Sequence, residues 1–421
     1  MGFGWPDTPA DSGHPVSRKG APCCTAVTSN GNLPGQSNRV KNMLLNPALV
    51  LGVMLLAAGG TACTHHDTSQ DPRPDLSRRP DVDSSLDAQT CRDDSECNDG
   101  LVCTDNRCER NTCMTSPRTD CAWPAEPIQQ ASNLTGVEGY FWENEFYKDL
   151  SGAVWNPETR QLWVCRNTHD DSRIWVLQRD EHGHYAIGSK DAVRGEWADF
   201  GDIEGLTLAG FDEPETIYLI VEGRGLIQEL DLSRYGSALL KNSWNIVRDL
   251  GRGRGAEAIT FVPDRFLEEH GFVDAAGRPY RSRGGMGGLM LVGRQYRGYL
   301  YAFDLNRKDA SYKFVGRYRT GRGEVSGLEF DRSTGQLYIW HGGDYNQLEV
   351  ARLSSSGDGS ERRLDTIRIY NGPGSIKSDN HEGIAIDSTD NCINGRRSFF
   401  LTTDDGKFWS LMQFREFPCA G

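Results

Sequence analysis

Downstream of about residue 128 the chain is written as short apolar runs of strand length, separated by turn residues, and the runs come in pairs. Segment 161–165 precedes 173–178, 216–221 precedes 226–232, 288–292 precedes 298–305, 336–340 precedes 348–353, and 398–402 precedes 408–414. Turn chemistry such as Asn156-Pro157-Glu158-Thr159, Arg332-Ser333-Thr334-Gly335 and Asp404-Asp405-Gly406 punctuates them. Each pair follows one copy of a strand-like motif. Its clearest forms are Asp202-Ile203-Glu204-Gly205-Leu206-Thr207-Leu208 and Asn380-His381-Glu382-Gly383-Ile384-Ala385-Ile386. Looser copies lie at 150–154, 256–261 and 325–330. Aligned on the small residue, the copies fall at Gly152, Gly205, Ala258, Gly327 and Gly383, spaced by 53, 53, 69 and 56 residues.

A near-constant period of this size, with strands between copies, predicts a repeat architecture. Each unit is the motif strand, a pair of strands, and usually a fourth, with candidates at 244–247, 312–316 and 364–369. Four-stranded units in sequence are propeller blades. The pattern therefore predicts an all-β, five-bladed β-propeller over 128–421. The last unit has no room for a fourth strand, so the segment 130–147 is expected to supply one and close the ring. A sixth blade is the architectural alternative, hidden in the insertion 263–287. That insertion reads as a loop, because Arg278, Arg281 and Arg283 lie there among Gly, Pro and Ser.

Composition changes the picture upstream. Six of the 12 cysteines, Cys91, Cys97, Cys103, Cys108, Cys113 and Cys121, crowd into 91–121, where few apolar residues are available. Only crosslinks could hold such a segment, which implies a small disulfide-rich module and an oxidising compartment. Connectivity does not follow from the spacing. Cys392 and Cys419 flank the last blade and are expected to pair, leaving Cys165 as an unpaired, buried small hydrophobe. Residues 1–62 read as a structureless N-terminus followed by a signal peptide: Lys41, an apolar run, then Gly59-Gly60-Thr61-Ala62 and Cys63. Small residues leading to a cysteine resemble the lipobox of bacterial lipoproteins, which makes Cys63 the lipidated residue. Gly60, where leucine is usual, departs from that pattern. The polar, Pro-rich stretch 63–90 reads as a disordered tether. The expected address is the cell envelope, lipid-anchored to a membrane, on the outer membrane or the periplasmic face. The net charge of −13 argues against nucleic acid as a partner and fits a cation or a cationic ligand.

In a propeller the motif strand lines the central channel. Glu204, Glu257 and Glu382 would then converge from different blades, with Asp202 and Asn380 two residues earlier in their copies. Several hard oxygen ligands at a channel mouth suit calcium, and without a cation the carboxylates would repel one another. The competing reading keeps each glutamate as a turn residue bonded to neighbouring backbone amides. Arg252, Arg254 and Arg322 precede motif strands and form a candidate anion-binding set. His169 and His341 sit in equivalent turns and read as turn residues. No nucleophile motif such as G-x-S-x-G is present, and no catalytic residue is assigned.

The repeated Ser/Glu-Gly-Leu/Ile strand and the Asn-His-Glu-Gly-Ile-Ala-Ile copy resemble the SdiA-regulated family, bacterial cell-envelope proteins related to NHL-type and phytase-like propellers. The resemblance covers roughly 147–415 and implies a five-bladed propeller with a calcium ion. It transfers to Glu204, Glu257 and Glu382, and more weakly to Asp202 and Asn380. The insertion 263–287 and the Cys-rich module lie outside it. The functional expectation is a calcium-containing envelope lipoprotein that binds a ligand or an envelope protein at the channel mouth. The alternatives are a calcium-dependent, phytase-like esterase or phosphatase, and a purely structural surface module.

Overall fold

The fold is taken from a computed structural model that describes residues 90–97, 104–118, 121–134, 149–167, 172–179, 185–187, 201–234, 237–251, 255–343, 345–374, 376, 380–404 and 409–419. Cys63, Cys103, His169, Arg252 and Arg254 lie outside the described residues. Among the described residues no helix is long and apolar enough to cross a membrane.

The Cys-rich segment forms a hairpin of β1 (Thr104–Glu109) and β2 (Thr112–Pro117). Disulfides Cys91–Cys108 and Cys97–Cys113 tie its preceding turn to the two strands. Cys121 is also disulfide-bonded and packs against Ile369. The acidic side chains here serve the turn: Arg92 N donates to Glu96 Oε2 at 2.7 Å and Cys108 N to Asp94 Oδ1 at 2.7 Å.

Five four-stranded antiparallel units follow. The first is β4 (Leu150–Asn156), β5 (Gln161–Arg166), β6 (Arg173–Arg179) and β7 (Tyr185–Ile187). The second is β8 (Ile203–Thr207), β9 (Thr216–Val221), β10 (Leu226–Arg234) and β11 (Ser237–Asn245). The third is β12 (Ala256–Pro263), β13 (Gly288–Arg294), β14 (Tyr299–Leu305) and β15 (Tyr312–Arg319). The fourth is β16 (Gly327–Asp331), β17 (Gln336–His341), β18 (Gln347–Ser356) and β19 (Arg363–Asn371). The fifth takes β20 (His381–Ile386), β21 (Arg396–Thr403) and β22 (Leu411–Pro418), and its outermost strand is β3 (Ser132–Asn133), which pairs with Met412 and Gln413. The expected closure by the upstream segment is thus met with two residues. The outer strands of the third and fourth blades touch at one parallel bridge, Arg319 to Arg363, so these two blades form one eight-stranded sheet.

The inner strands contact in the cycle β4, β8, β12, β16, β20 and back to β4, a closed ring. Each of the five large hydrophobic clusters lies between neighbouring blades. In β9, Ile217 and Leu219 pack toward the first blade while Tyr218 and Ile220 pack toward the third. Alternate residues therefore enter different interblade layers, and both faces of a middle strand are buried. This is why these strands read as continuous apolar runs rather than as apolar-polar alternation.

The insertion 263–287 is not simply a loop. It opens with a helix, Asp264–Glu269, whose Phe266 and Leu267 are buried against the third and fourth blades. Two apolar residues on a helix of less than two turns give no readable period, which explains the difference from the sequence expectation. No strand occurs between β12 and β13, so the sixth-blade alternative finds no support there. Trp123 and Glu126 strap the ring: Trp123 packs on Trp340, Phe399 and Phe414, and the Glu126 carboxylate accepts Arg415 N at 2.6 Å and Glu416 N at 2.8 Å. Cys392 and Cys419 are disulfide-bonded as expected, and Cys165 is free and buried.

Candidate functional site

The recurring motif has a geometric cause. In four blades the register between the inner strand and its neighbour slips at the motif, between Leu150 and Gly152, Ile203 and Gly205, Ala256 and Ala258, and His381 and Ile384. A bulge of this kind re-aims one side chain out of the ladder. The residues in the slip are Ser151, Glu204, Glu257 and Glu382, and all four line one cavity of about 300 Å3. The small residue that follows is needed because the inner strands nearly touch at the axis. A Cβ on Gly205 would lie 3.2 Å from the Ala258 Cα, and one on Gly383 only 2.6 Å from the Gly152 Cα. Below the cavity the channel narrows to a space of about 10 Å3, lined by these same motif residues.

A second tier completes the cavity. The residue immediately after the second strand of a blade is Asn167, Glu222, Gln295 or Asp404, and each lines it. Their backbone N–H groups donate to the carbonyls of Asp149, Asp202, Gly255 and Asn380 respectively, at 2.8 to 3.0 Å, so the position is the same in four blades. The sequence reading found the first tier and missed Glu222, Asp404 and Asn167. All three fall one or two residues beyond a predicted strand, in polar turn text that marks a cavity residue no differently from a solvated one.

The expected site residues are brought together. Carboxylate oxygens of Asp202, Glu204 and Glu222 lie within 4.8 Å of one another. Asn167 Nδ2 donates to Glu204 Oε1 at 2.6 Å, and Asn380 Nδ2 donates to Glu382 Oε1 at 2.9 Å and Asp404 Oδ2 at 3.1 Å. No Lys or Arg is among the described residues lining the cavity. The electrostatic consequence is uniform. Burial, then the charges of Glu257, Glu382, Asp202 and Glu222, push the Glu204 carboxyl well above its ordinary value. Burial, then Glu222, Glu324 and Asp202, push Glu257 up to about 8. Burial, then Asp404 and Glu257, push Glu382 up, partly offset by the Ser151 hydroxyl. Burial and Glu204 likewise keep the Cys165 thiol protonated.

Crowded carboxylates without basic partners hold their charge only with a cation or give it up to protons. The donor set fits a hard divalent cation: all ligand atoms are oxygens. Asn167 adds a further observation, since its Oδ1 is buried beside the cluster and accepts no hydrogen bond.

The remaining candidates fall elsewhere. Arg322 does not line the cavity; its Nε donates to Gln347 Oε1 at 2.6 Å and its Nη1 to Gly321 O at 3.0 Å. His341 is fully buried, with Nε2 2.9 Å from Glu349 Oε2 and Nδ1 against the Glu324 carbonyl.

No family model matches the chain, and no curated protein matches it. Among solved structures the chain is similar to one in a nidogen/laminin complex, at 10% identity over 77% of this chain and 90% of that one, with a TM-score of 0.34. It is also similar to the periplasmic gluconolactonase PpgL of Pseudomonas aeruginosa, at 13% identity over 64% of this chain and 66% of that one, with a TM-score of 0.32.

Proposed function

We propose that this chain is a lipid-anchored cell-envelope propeller that holds calcium in the carboxylate cavity and uses that mouth of the channel to bind a ligand or an envelope protein. The observation that carries the reading is the convergence of Asp202, Glu204 and Glu222 within 4.8 Å in a setting whose described lining has no basic residue. Asp202, Glu204 and Glu222 would hold the ion, with the Asn167 oxygen beside them and Glu257, Glu382 and Asn380 further around the wall. A bound calcium ion would neutralise the cluster and offer coordination positions to an oxygen-rich group of a partner. The chain's own part is to keep these oxygens fixed on bulged strands that packing prevents from relaxing. The resemblance to the SdiA-regulated family supports the same reading. Binding is preferred over ester or phosphate hydrolysis, because Arg322, the one described member of the candidate anion-binding set, is engaged outside the cavity.

Metal analysis of the purified full chain, paired with melting curves in calcium and in chelator, tests the ion. About one calcium per chain and a lower melting temperature in chelator are expected; no metal and coincident curves would sink the proposal. Turnover of generic phosphate or carboxylate esters that needs calcium and disappears in Glu204→Gln would replace binding by catalysis. The anchor is tested separately, by detergent partitioning of the wild-type chain against Cys63→Ala. Equal partitioning would remove the lipid from the account.

A further inference from the structure

The opposite mouth of the channel carries a larger cavity, of about 440 Å3, that the carboxylate cluster does not reach. It lies at the C-terminal ends of the inner strands. Two residues beyond the motif's small residue the strands carry Val154, Thr207, Thr260, Glu329 and Ala385, and the first four of these line it. Glu329 is the one ionisable residue in that ring. Its walls mix aromatic residues, Trp155, Phe211, Phe261 and Phe330, with polar and charged ones.

Asp331 and Arg332, beside Glu329 in the chain, are already engaged. Asp331 pairs with Arg397 at 2.7 Å and accepts Ser333 N at 2.8 Å. Arg332 donates through Nη2 to the carbonyls of Leu208 at 2.5 Å and Ala209 at 3.0 Å, and its guanidinium lies over the Phe211 ring at 4.1 Å. Arg265 lies over the Phe266 ring at 4.5 Å. The Glu329 carboxyl makes no hydrogen bond or ion pair with any described residue. It is half-buried, and burial with the neighbouring Asp331 pushes its proton affinity well up, against the opposing pull of Arg332 and Arg397. Glu158 and Asp390 at the rim are exposed and add negative charge.

A half-buried acidic group without a partner, facing a cavity of ligand size with aromatic residues in its wall, is a feature that folding alone does not call for. We infer that this mouth is a second, separate binding site, for a small organic amine with an aromatic body, whose ammonium meets Glu329 and whose body lies against the remaining aromatic lining, since the Arg332 guanidinium already lies over the Phe211 and Phe261 rings. The ligand's charge restores the ionised carboxylate, and the carboxyl proton leaves to solvent. Anionic ligands are disfavoured, because Arg332 is already engaged and acidic side chains outnumber basic ones around the cavity. The site does not depend on the cation reading, since the two cavities share no lining residue.

The test uses the full chain and three fragments of one shape: phenethylamine, phenethyl alcohol and phenylpropionate, followed by ligand-observed NMR and calorimetry. The amine is expected to bind at least about tenfold more tightly than the alcohol, with the carboxylate weakest. Its affinity is expected to rise with pH above the ordinary carboxylate range, as the proton on Glu329 becomes easier to displace. Glu329→Gln should cost the amine at least about tenfold, leave the alcohol unchanged and keep the wild-type response of melting to calcium. If Glu329→Gln fails to fold, the pH profile and the order of the three fragments on the wild-type chain decide. Equal or tighter binding of the alcohol or carboxylate, undiminished amine binding by the folded variant, a flat pH profile, or no binding of the amine at millimolar concentration would each overturn the inference.

Discussion

Glu257→Gln separates a charged site from a structural turn, because the two accounts predict opposite signs. Glu257 is pushed up to about 8 from an ordinary value of 4.5. At about pH 7 the folded chain therefore keeps a proton that the unfolded chain releases, at a cost of about 3 kcal/mol from this one group. Glutamine has nearly the same shape and carries no charge. In chelator the variant should be more stable than the wild type by up to about 3 kcal/mol, a rise of about 6 °C in melting temperature for a domain of this size. In calcium the relation should vanish or reverse, since the cation already relieves the repulsion in the wild type and the variant binds it less tightly. With free calcium at about a hundred times the dissociation constant, the wild type gains about 2.7 kcal/mol, and the variant should gain less than half of that. The assay is thermal melting of both chains in the two buffers, followed by circular dichroism. If the variant loses the same stability in chelator as in calcium, Glu257 is a hydrogen-bonding turn residue and the argument from converging charge is wrong.

The same carboxylates set the response to pH. Because Glu204, Glu257 and Glu382 are all held above their ordinary values, stability in chelator should be greatest near about pH 5 and fall as pH rises toward about 8, with calcium flattening the profile; a chelator profile that rises over this range contradicts the electrostatics. Gly383→Ala would drive a Cβ to 2.6 Å from the Gly152 Cα and 2.8 Å from Ala153 N, where only backbone could move, so a loss of more than about 3 kcal/mol is expected in denaturant unfolding. Glu126→Ala should cost about 2 kcal/mol by removing the acceptor for Arg415 N and Glu416 N, and should raise amide exchange along β22 before it affects other strands.

The sequence made the ring legible through one feature, the small residue at a near-fixed period. Close approach of five strands at an axis leaves room for nothing larger, so Gly152, Gly205, Gly327 and Gly383 report the axis directly. The glutamates of the motif were legible for the same reason, since the bulge that aims them inward adjoins that small residue. Glu222, Asn167 and Asp404 were not, because they fall in polar turn text after a strand, where a solvated residue and a cavity residue look alike. The closing strand Ser132–Asn133 is too short to carry a pattern and was inferable only from the fourth strand that the last blade lacks. Glu329 was not legible in its motif copy, since its isolation shows only when Val154, Thr207 and Thr260 are seen beside it.

A fivefold repeat places equivalent positions around an axis, and this makes departures from equivalence informative. If every motif carried a glutamate, five carboxylates would face one cavity, and no single ion could neutralise them. Ser151 and Ser326 break the run on two blades, concentrating charge on the side where Asp202 and Glu222 adjoin Glu204. At the other end the departure is inverted: four positions carry Val154, Thr207, Thr260 and Ala385, and one carries Glu329. Neither departure improves the packing of the inner strands, which the small residues already secure. A charge that packing does not need, kept at either end of the same channel, is best accounted for by what it binds. The two ends differ in what they can bind: crowded oxygens suit a metal ion, and a lone carboxyl among aromatic rings suits an organic cation.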